Sequence, residues 1–475
     1  MANKSLHCHR SSDTIVRMTI WIPDLSQADG PIYLALAEAI AREIDTGGLA
    51  PGSRLPTHRQ LADGLDVALT TVTRGYAEAE RRGLVSGEVG RGTFVRRARS
   101  STRRERSTAD SSIIDFTVNA LLPYAHAPEL AASMGRVIAD GDPWTMLDYQ
   151  PQRGSERQRT AGALWMERAG VAASPDRVLV TSGAQHAMAV TFATLANPGD
   201  TVLTEELTYS GMKSLGHHLH LRLKGVAMDQ DGLRPDAFEA ECRTANPKAL
   251  YTMPNLHNPL GIVMPEERRA EIAAIADRHG VPVVEDDSYG FLVPDMKPLA
   301  AFSANAYYLV GTSKSLAASF RIGFMLAPLE MVDRLTAAIS STTFLASPPM
   351  GEVVAEWIFD GTANRIMEWK RQEVAARQEI AQATLGRFGF TSHPMAQHLW
   401  LELPEPWCTD DFVSQAKMRG VLVSPAEIFV AGRAAAPYAV RITLGSVPDR
   451  DTLARGLTTL AKILDAPPQP CKTVI

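Results

Sequence analysis

The 475-residue sequence lacks the features that define several classes of protein. No apolar run reaches the roughly 18 to 20 residues that a membrane-spanning helix needs, and the N-terminus has no apolar segment followed by a cleavage site. The four cysteines lie far apart and form no CxxC pair, so neither a disulfide framework nor a metal site is expected. These absences predict a cytoplasmic chain with reduced thiols and no membrane partner.

The composition and the distribution of charge indicate more than one domain. Hydrophobic residues make up 45% of the chain and charged residues 21%, as in ordinary globular proteins, which excludes disorder and collagen. A chain of this length corresponds to about two to four folded units. Residues 1–112 carry a net charge of +3 and residues 113–475 a net charge of −8. Residues 74–106 hold ten arginines against four acidic residues, an excess that attracts phosphate backbones.

A Ser- and Arg-rich stretch separates the two parts. Residues 96–112 have almost no apolar side chain to bury, and regular hydrophobic periodicity resumes near Ile113. On its own this stretch would be a solvated segment. We therefore divide the chain into an N-terminal extension that matches no pattern (1–28), a first domain (29–97), a basic linker (98–112) and a large second domain (113–470).

The first domain has the pattern of a winged helix-turn-helix. Apolar residues recur every fourth position from Ile32 to Ile44, which predicts an amphipathic helix. Thr57 stands three residues before Gln60, the spacing of a capping box at the start of a second helix that would run to about Leu65. A third helix, capped by hydroxyls at its start, would run from Thr70 to Gly83, and a Gly-rich hairpin would follow.

About 65 residues of this domain resemble the DNA-binding domain of the GntR family of bacterial regulators. The matching run is PIYLALAEAIAREIDTGGLAPGSRLPTHRQLADGLDVALTTVTRGYAEAERRGLVSGEVGRGTFV, with its LP-x-x-R-x-LA and G-x-G-T-F-V segments. The resemblance implies that the third helix enters the major groove, where arginines grip phosphate or read guanine and hydroxyls position the helix. The residues that it places at the DNA are Arg59, Thr70, Thr71, Thr73 and Arg74, with Arg91 and Gly92 at the wing tip.

The second domain alternates β-prone and helix-like segments. Its strand candidates are RVLVT, TVLT, ALYTM, VPVVED, YYLVGTS and GFMLA. This alternation predicts an α/β domain with a mainly parallel sheet that helices cover on both faces. Ligands of such sheets bind beyond the carboxyl ends of the strands, which is where SGAQHAM, NPLG, EDDSYG and TSKS follow.

Several residues at these strand ends have suitable chemistry of their own. Small residues at 182–185 leave backbone amides open to a phosphate at a helix N-terminus. Asp286 ends a buried-looking strand and needs a donor or a cationic partner, such as a protonated ring nitrogen. Lys314 follows another apolar strand, where partial desolvation would make its amine a nucleophile toward a carbonyl. Arg321 would supply a positive fork for a dianion. Each of them alone is equally compatible with a structural role.

Together these segments resemble the fold-type I aminotransferases, which bind pyridoxal 5′-phosphate (PLP), over roughly 350 residues. Asn258 and Lys314 each lie 28 residues from Asp286, Tyr289 follows Asp286 by three, and the segment S-K-x-L-x-x-x-x-R-x-G contains the lysine. The resemblance implies that Lys314 forms a Schiff base with PLP and that Asp286 pairs with the ring nitrogen. It also implies that Asn258 and Tyr289 hold the ring hydroxyl.

The same resemblance assigns further residues to the cofactor and the substrate. Tyr209 would stack on the ring, and Arg441 would take the carboxylate of a substrate or effector by a bidentate contact. Gly311 stands where this family usually has a hydroxyl residue, so either Thr312 replaces that phosphate contact or the contact is missing. The residues expected at the phosphate are Gly183, Ala184, Gln185, Ser313 and Arg321.

A GntR-like head joined to an aminotransferase-like body resembles the MocR family of PLP-dependent transcriptional regulators over nearly the whole chain. The resemblance implies a homodimer that binds a double-stranded DNA operator, with PLP or an amino compound exchanging at Lys314 to change DNA affinity. Two other hypotheses stay open. One is a working aminotransferase with an accessory DNA-binding head, which conversion of PLP by amino donors would reveal. The other is a structural DNA-binding protein without a cofactor, which would be colourless.

Overall fold

The computed structural model describes residues 21–25, 30–45, 48–50, 52–82, 84–88, 92–95, 113–119, 127–140, 148–432 and 434–466. The chain divides into two compact units, Met1–Ala109 and Asp110–Ile475, called here the head and the body. The predicted linker, most of the predicted N-terminal extension and Arg91 lie outside the described residues. Within the described residues, no helix is long and apolar enough to cross a membrane.

The described part of the head folds as three helices followed by a hairpin, as the sequence predicts. Its elements are α1 (Ile32–Asp45), α2 (His58–Leu65), α3 (Leu69–Arg81), β1 (Val85–Glu88) and β2 (Gly92–Val95). The capping box forms at the start of α2, where Gln60 N donates to Thr57 Oγ1 (3.3 Å) and Thr57 N donates to Gln60 Oε1 (3.0 Å). The hydroxyl cap predicted at Thr70 is wrong, because Ala68 occupies the cap position of α3 and makes no side-chain hydrogen bond.

The apolar faces of the head helices meet in one core. Leu36 on α1 and Val72 on α3 are fully buried in it. A Cβ on Gly75 would lie 2.7 Å from the Leu36 side chain, so the missing side chain lets α1 and α3 approach closely. Tyr76 Oη donates to Pro56 O (2.8 Å) and so ties α3 to the turn before α2.

The body consists of strands and helices that alternate along most of its length. Its strands are β3 (Ile114–Asp115), β4 (Val178–Thr181), β5 (Thr201–Glu205), β6 (Arg222–Val226), β7 (Met228–Asp229), β8 (Gly232–Leu233), β9 (Ala249–Thr252), β10 (Val283–Asp286), β11 (Ala306–Gly311), β12 (Gly323–Leu326), β13 (His398–Glu402), β14 (Val421–Leu422), β15 (Ser424–Pro425) and β16 (Ala439–Thr443). Its helices are α4 (Ala127–Asp140), α5 (Glu156–Arg168), α6 (Ala184–Leu195), α7 (Ser210–His218), α8 (Pro235–Ala245), α9 (Glu266–His279), α10 (Thr312–Ser315), α11 (Val332–Thr342), α12 (Pro348–Phe359), α13 (Thr362–Leu385), α14 (Thr409–Met418) and α15 (Arg450–Asp465). Short 3₁₀ helices lie at Pro175–Arg177, Gly290–Leu292, Leu299–Phe302, Leu329–Met331, Gly386–Phe388 and Ala426–Ile428.

Among the described residues, seven strands form the main sheet in the order β4-β12-β11-β10-β9-β5-β6. The predicted strand segments all lie in this sheet, and β6 is an addition that the sequence pattern did not indicate. Strand β12 runs antiparallel to both of its neighbours, whereas the other pairs are parallel. The prediction of a mainly parallel sheet is confirmed.

Alternate residues of the sheet face two separate cores. In β4, Val178 and Val180 belong to one core and Leu179 to the other. In β11, Tyr308 belongs to the first of these cores and Leu309 to the second. Because both faces are covered, every residue of β4, β9, β10 and β12 is buried, which explains why β4, β9 and β12 are nearly continuous apolar runs in the sequence. Strand β10 ends instead with two buried acidic residues, Glu285 and Asp286.

A smaller sheet, in the order β13-β16-β15, carries the C-terminal site residues. Strand β3 pairs in parallel with β14, and the next residue, Phe116, is fully buried. The main chain is fixed there because Phe116 N donates to Leu422 O (2.9 Å) and Thr443 N donates to Phe116 O (3.1 Å). The start of the body is thereby held against the strand that contains Arg441.

Candidate functional site

The carboxyl edge of the main sheet gathers the predicted site residues. Ser182 follows β4, Asp286 ends β10 and Lys314 follows β11, so their strands, which point the same way, bring them to one edge. Because β12 is antiparallel, its first residue lies at this edge, and Arg321 precedes it by two residues. The one reversed strand therefore adds a cation to the site.

A cradle for a phosphate lies at the start of α6. Arg321 Nη1 donates to Ser313 Oγ (2.8 Å) and Nη2 donates to Ser182 O (3.2 Å). Gly183 has φ +89°, and a Cβ there would lie 2.8 Å from Arg321 Nη2, so a side chain would displace the guanidinium. Ala184 and Gln185 are the first residues of α6, where backbone amides and the helix dipole favour an anion.

The position of the expected hydroxyl residue has little space. A Cβ on Gly311 would lie 3.2 Å from Ala184 Cβ. The Thr312 side chain is buried and its hydroxyl donates to Ile322 O (2.8 Å), which closes the turn before β12. The Thr312 hydroxyl is therefore already engaged, and the geometry favours a phosphate site that lacks this hydroxyl contact.

Asp286 is a buried carboxylate without a cation. It is 3% exposed and accepts hydrogen bonds from Tyr251 Oη (3.1 Å) and Ser288 Oγ (2.6 Å). Burial and, to a smaller extent, the neighbouring Asp287 carboxylate raise the pKa of Asp286, and these two hydrogen bonds oppose the rise. Among the described residues, no salt bridge to Asp286 is found. A protonated ring nitrogen would supply the missing positive charge.

Lys314 lies in a turn that a second lysine holds. Lys314 Nζ donates to Asn119 O. The Lys370 ammonium, only 2% exposed, donates to Lys314 O (3.0 Å) and to Leu316 O (2.7 Å). Burial and, to a smaller extent, the charge of Lys314 lower the pKa of Lys370 to about 7. The main chain on both sides of the Lys314 side chain is therefore fixed from α13.

Arg441 is a buried cation without a carboxylate partner in the described residues. Its Nη1 donates to Asn258 Oδ1 (2.9 Å) and its Nη2 to Thr117 O (2.7 Å). Its Nε has no hydrogen-bond partner among the described residues, although the atom is buried. Burial lowers the pKa of Arg441 to about 10, so the guanidinium stays charged at neutral pH. A buried charge of this kind fits an anionic ligand.

Two tyrosines line the space between these groups. The phenol of Tyr209 interacts electrostatically with Asp286, Arg441 and Arg321, so all three lie around it. Tyr289 is buried, and its Oη accepts a hydrogen bond from Asn119 Nδ2 (2.8 Å). Burial raises the pKa of both phenols, which keeps them protonated at neutral pH. The residues that the resemblance assigns to the PLP ring and its hydroxyl therefore lie near one another. Asn258, one of them, accepts a hydrogen bond from Arg441 in this structure.

Sequence reasoning missed Asn119, Tyr251, Lys370 and a buried histidine, His398. Only Tyr251 could have been inferred from the sequence, because it lies in a predicted strand, and that strand pairs with the strand of Asp286. The other three are a lone amide, a lysine on a helix and a histidine on a strand, which are common structural residues. Their place in the site can be recognised only from the tertiary structure.

The described DNA-facing candidates of the head lie on α2, α3 and β2. Arg59 and Arg74 are exposed, and the Arg74 guanidinium lies 4.3 Å from the centre of the Tyr33 ring on α1. A Cβ on Gly92 would lie 2.7 Å from Arg54 Nε, so the Arg54 guanidinium lies beside the hairpin. The predicted hydroxyl residues are Thr70 and Thr73, which are exposed, and Thr71, which is half-buried.

These two sites define a PLP-dependent aminotransferase-type domain and a winged helix-turn-helix DNA-binding domain in one chain. Comparison with protein families agrees. Residues 111–460 match the family described as aminotransferase class I and II, and residues 32–95 match the bacterial regulatory proteins of the gntR family. The chain belongs to the MocR family of transcriptional regulators, in which these two domains are joined.

Individual proteins are similar to most of this chain. The uncharacterized HTH-type transcriptional regulator YdeF of Bacillus subtilis is 30% identical over 449 residues, which cover 94% of this chain and 97% of that protein. The probable rhizopine catabolism regulatory protein MocR of Rhizobium meliloti is 27% identical over 76% of this chain and 78% of its own length. The solved structure of Pyrococcus horikoshii kynurenine aminotransferase, which contains PMP, is 25% identical with a TM-score of 0.69, and the match covers 75% of this chain and 91% of that one.

Proposed function

We propose that this DNA-binding regulator senses a carboxylate-bearing amino compound by exchange of a Schiff base at Lys314, and that occupancy of this site changes its affinity for DNA. The observation that carries the proposal is a pair of buried, unpaired charges. Among the described residues Asp286 has no cationic partner and Arg441 no carboxylate partner, and the phenol of Tyr209 interacts electrostatically with both. Isolated buried charges are unfavourable, so such a pair is typical of a site for a dipolar ligand.

The residues of the site suit each part of PLP. The start of α6, Arg321 and Ser313 would hold the phosphate, and Asp286 would face the ring nitrogen. Tyr209 would lie against the ring, and Tyr289 would donate to its hydroxyl oxygen. When bound, PLP supplies an aldehyde that links to primary amines and an electron-withdrawing ring. Tyr251 and Ser288 keep the Asp286 carboxylate oriented toward that ring.

Arg441 defines the class of effector. Its Nε is free to donate, and its two other nitrogens already orient the guanidinium fork through Asn258 and Thr117. A carboxylate can bind such a fork in a bidentate way. The effector would therefore carry both a primary amine for exchange at Lys314 and a carboxylate for Arg441. Ordinary amino acids and ω-amino acids satisfy this requirement.

The segment Ile113–Asn119 supports a connection from this site to the DNA-binding domain. Its main-chain carbonyls at Thr117 and Asn119 accept from Arg441 Nη2 (2.7 Å) and from Lys314 Nζ. In the sequence this segment directly follows the predicted linker 98–112. A ligand that engages Arg441 and Lys314 would compete with both contacts and so alter the end of the linker. The effector can shift DNA affinity only through such differential contacts.

The bodies are proposed to associate as a homodimer, which would place two heads on one operator. Two-fold DNA half-sites would then match the symmetry of the protein. Analytical ultracentrifugation of the PLP-loaded chain measures this directly. A monomer at micromolar concentration would contradict this part of the proposal.

The proposal is tested by visible absorbance and DNA binding on the same preparation. Wild-type protein with PLP should show a visible band, which β-alanine or L-glutamate should shift and propylamine, which lacks a carboxylate, should shift far less. DNA from the upstream region of its own gene should bind with an affinity that follows this spectral change. A spectrum that responds while DNA affinity stays constant would contradict regulation.

The second hypothesis, a working aminotransferase, is supported by the presence of both Lys314 and Asp286 in one site. It predicts that an amino donor converts bound PLP to its amine form and that a keto acid restores it, at about one turnover per second or faster. Single-turnover spectroscopy with L-glutamate followed by pyruvate distinguishes the two. If the protein only binds the effector and does not convert PLP, removal of the effector by dialysis should restore the original absorbance band of bound PLP without a keto acid.

A further inference from the structure

Asn119 contacts two residues of the proposed PLP site. It ends the segment Ile113–Asn119, whose main chain is anchored by Ile114 N donating to Gly420 O (2.7 Å). Its main-chain oxygen accepts from Lys314 Nζ, and its side-chain Nδ2 donates to Tyr289 Oη (2.8 Å). A single residue therefore contacts the Schiff-base lysine and the tyrosine expected at the ring hydroxyl.

The side chain of Asn119 is oriented by its other neighbours. Gln397 Nε2 donates to Asn119 Oδ1 (2.6 Å), which leaves Nδ2 as the group that faces Tyr289. An amide has a donor end and an acceptor end, so an acceptor contact at Oδ1 determines which end points at the phenol.

The direction of this hydrogen bond decides what Tyr289 can do. A phenol oxygen that accepts a hydrogen bond from an amide cannot direct its own proton at that amide nitrogen. The Tyr289 proton is then available for an acceptor on the other side, in the space lined by Tyr209 and Arg441, both of which interact electrostatically with Tyr289. Burial keeps this phenol protonated at neutral pH, because it raises the pKa of Tyr289.

We infer that Asn119 is a positioning residue: its carbonyl holds the Lys314 amine before PLP is bound, and its side-chain amide turns the Tyr289 hydroxyl proton toward the ring oxygen of bound PLP. The inference rests on the proposed binding of PLP at Lys314 and adds a residue to that site. Asn119 acts through Tyr289 and through Lys314, so it differs from the catalytic residues, which touch the cofactor itself.

A substitution of equal side-chain size reverses the direction of the hydrogen bond between residue 119 and Tyr289. In Asn119→Asp, a carboxylate oxygen replaces Nδ2 and accepts the Tyr289 proton, so the phenol no longer donates to the ring oxygen. In Asn119→Ala, the contact is removed and the phenol is free to turn. If Asn119 only anchored its segment, both variants would behave like Asp115→Ala, which removes the Asp115 Oδ1 contact to Thr117 N (2.8 Å) in the same segment.

The readout is the pH at which the visible band of the PLP-loaded protein changes. If PLP is bound through Lys314, the linked nitrogen would share its proton with the ring oxygen, and a Tyr289 proton donated to that oxygen would weaken this interaction. Loss of the Tyr289 contact should therefore raise the midpoint, by about one pH unit in Asn119→Asp and by less in Asn119→Ala. Asp115→Ala should keep the wild-type midpoint.

A double-substitution cycle separates this role from others. In a Tyr289→Phe background the hydroxyl is gone, so Asn119→Asp should add less than about 0.2 pH unit to the midpoint. Thermal melting of the same preparations reports whether each variant is folded, and Asn119→Ala serves if Asn119→Asp is not. PLP titration of each variant gives its dissociation constant.

The outcomes distinguish the two proposals. If wild-type protein gives no visible band at saturating PLP, the proposed function fails and this inference fails with it. If wild type gives the band but neither Asn119 variant shifts the midpoint beyond that of Asp115→Ala, only the inference fails. An equal shift in the presence and absence of the Tyr289 hydroxyl would also overturn it.

Discussion

The head and the body place their functional residues in opposite environments. In the head, Arg59 and Arg74 are exposed on a core that would fold without them. In the body, Asp286 and Arg441 are buried and carry charges that no described side chain neutralises. Surface charges contribute little to stability, whereas unpaired buried charges destabilise a fold. Function and stability should therefore be separable in the head and opposed in the body.

Substitution of the Schiff-base lysine should have the largest effect in the body. Lys314→Ala is expected to abolish the visible band of PLP and its capture by borohydride, because the neighbouring Lys370 ammonium is held by Lys314 O and Leu316 O. Mass spectrometry after reduction measures the covalent adduct. Lys370→Met is the paired variant, since it removes the neighbouring ammonium and should leave the adduct on Lys314. An adduct that persists in Lys314→Ala would show that another amine binds PLP.

Removal of the unpaired guanidinium sharpens the contrast between function and stability. Arg441→Met should weaken the spectral response to β-alanine by about 30-fold or more, because a desolvated charge pair is lost on binding. The same variant should unfold at an equal or higher temperature, since an uncompensated buried charge has been replaced by an apolar chain. Spectral titration and calorimetry measure the two effects. A response to β-alanine equal to that of wild type would exclude Arg441 as the carboxylate site.

Two buried histidines should each contribute stability that acid removes. Burial lowers the pKa of His257 and of His398 to about 3, below the usual value of 6.5. Both therefore contribute stability above pH 6.5 that is lost as the pH falls toward 3, by up to about 1.4 kcal/mol per pH unit for each histidine. The buried carboxyls of Glu205 and Glu285, whose pKa values burial raises to about 7 and about 8, act in the opposite direction over the same pH range.

Urea unfolding at pH 7, 6 and 5 measures the net slope. Because His257→Leu removes one of these losses, its free energy of unfolding should rise relative to that of wild type as the pH falls from 7 to 5. A difference between the two proteins that does not change with pH would contradict this role of His257.

The exposed arginines of the head should alter DNA binding alone. Arg59→Ala is expected to weaken DNA binding roughly threefold to tenfold and to reduce the slope of log affinity against log salt by about one. Its thermal stability and its PLP spectrum should match those of wild type. Anisotropy titrations from 50 to 200 mM salt, with Glu38→Ala on α1 as the surface control, measure the change. An unchanged salt slope would remove Arg59 from the interface.

The smallest expected effect concerns the capping box of α2. Thr57→Ala removes the side-chain acceptor of Gln60 N and should destabilise the head by about 1 kcal/mol. Hydrogen exchange of the α2 amides should accelerate accordingly, with no change at Tyr289 or elsewhere in the body. Exchange rates that match wild type in α2 would show that the box adds nothing to stability.

The order of elements and the main sheet were predictable from the sequence. Strands that are buried on both faces consist mainly of apolar residues, and such runs can be recognised without the structure. Strand β6 was not predictable, since its exposed edge gives the polar pattern Arg222–Val226. The cap of α3 was misjudged because Thr70 and its neighbours lie inside the first turn, after Leu69. Hydroxyl residues near a helix start do not specify which of them takes the cap position.

The candidate site was predictable only where it follows strand ends. Asp286 and Lys314 terminate or follow strands of the main sheet, so local pattern locates them. Asn119, Lys370 and His398 come from three other elements, and only long-range packing brings them to the lysine. Their contacts reflect tertiary structure that no local spacing encodes.

The most direct test of the central claim is the DNA affinity of one preparation in two states of the body. PLP-loaded wild-type protein is titrated against DNA from the upstream region of its own gene, with and without an amino acid that shifts its spectrum. The account predicts a change in dissociation constant of about fivefold or more, which Lys314→Ala abolishes. Equal constants in both states, from a protein whose spectrum responds fully, would contradict it.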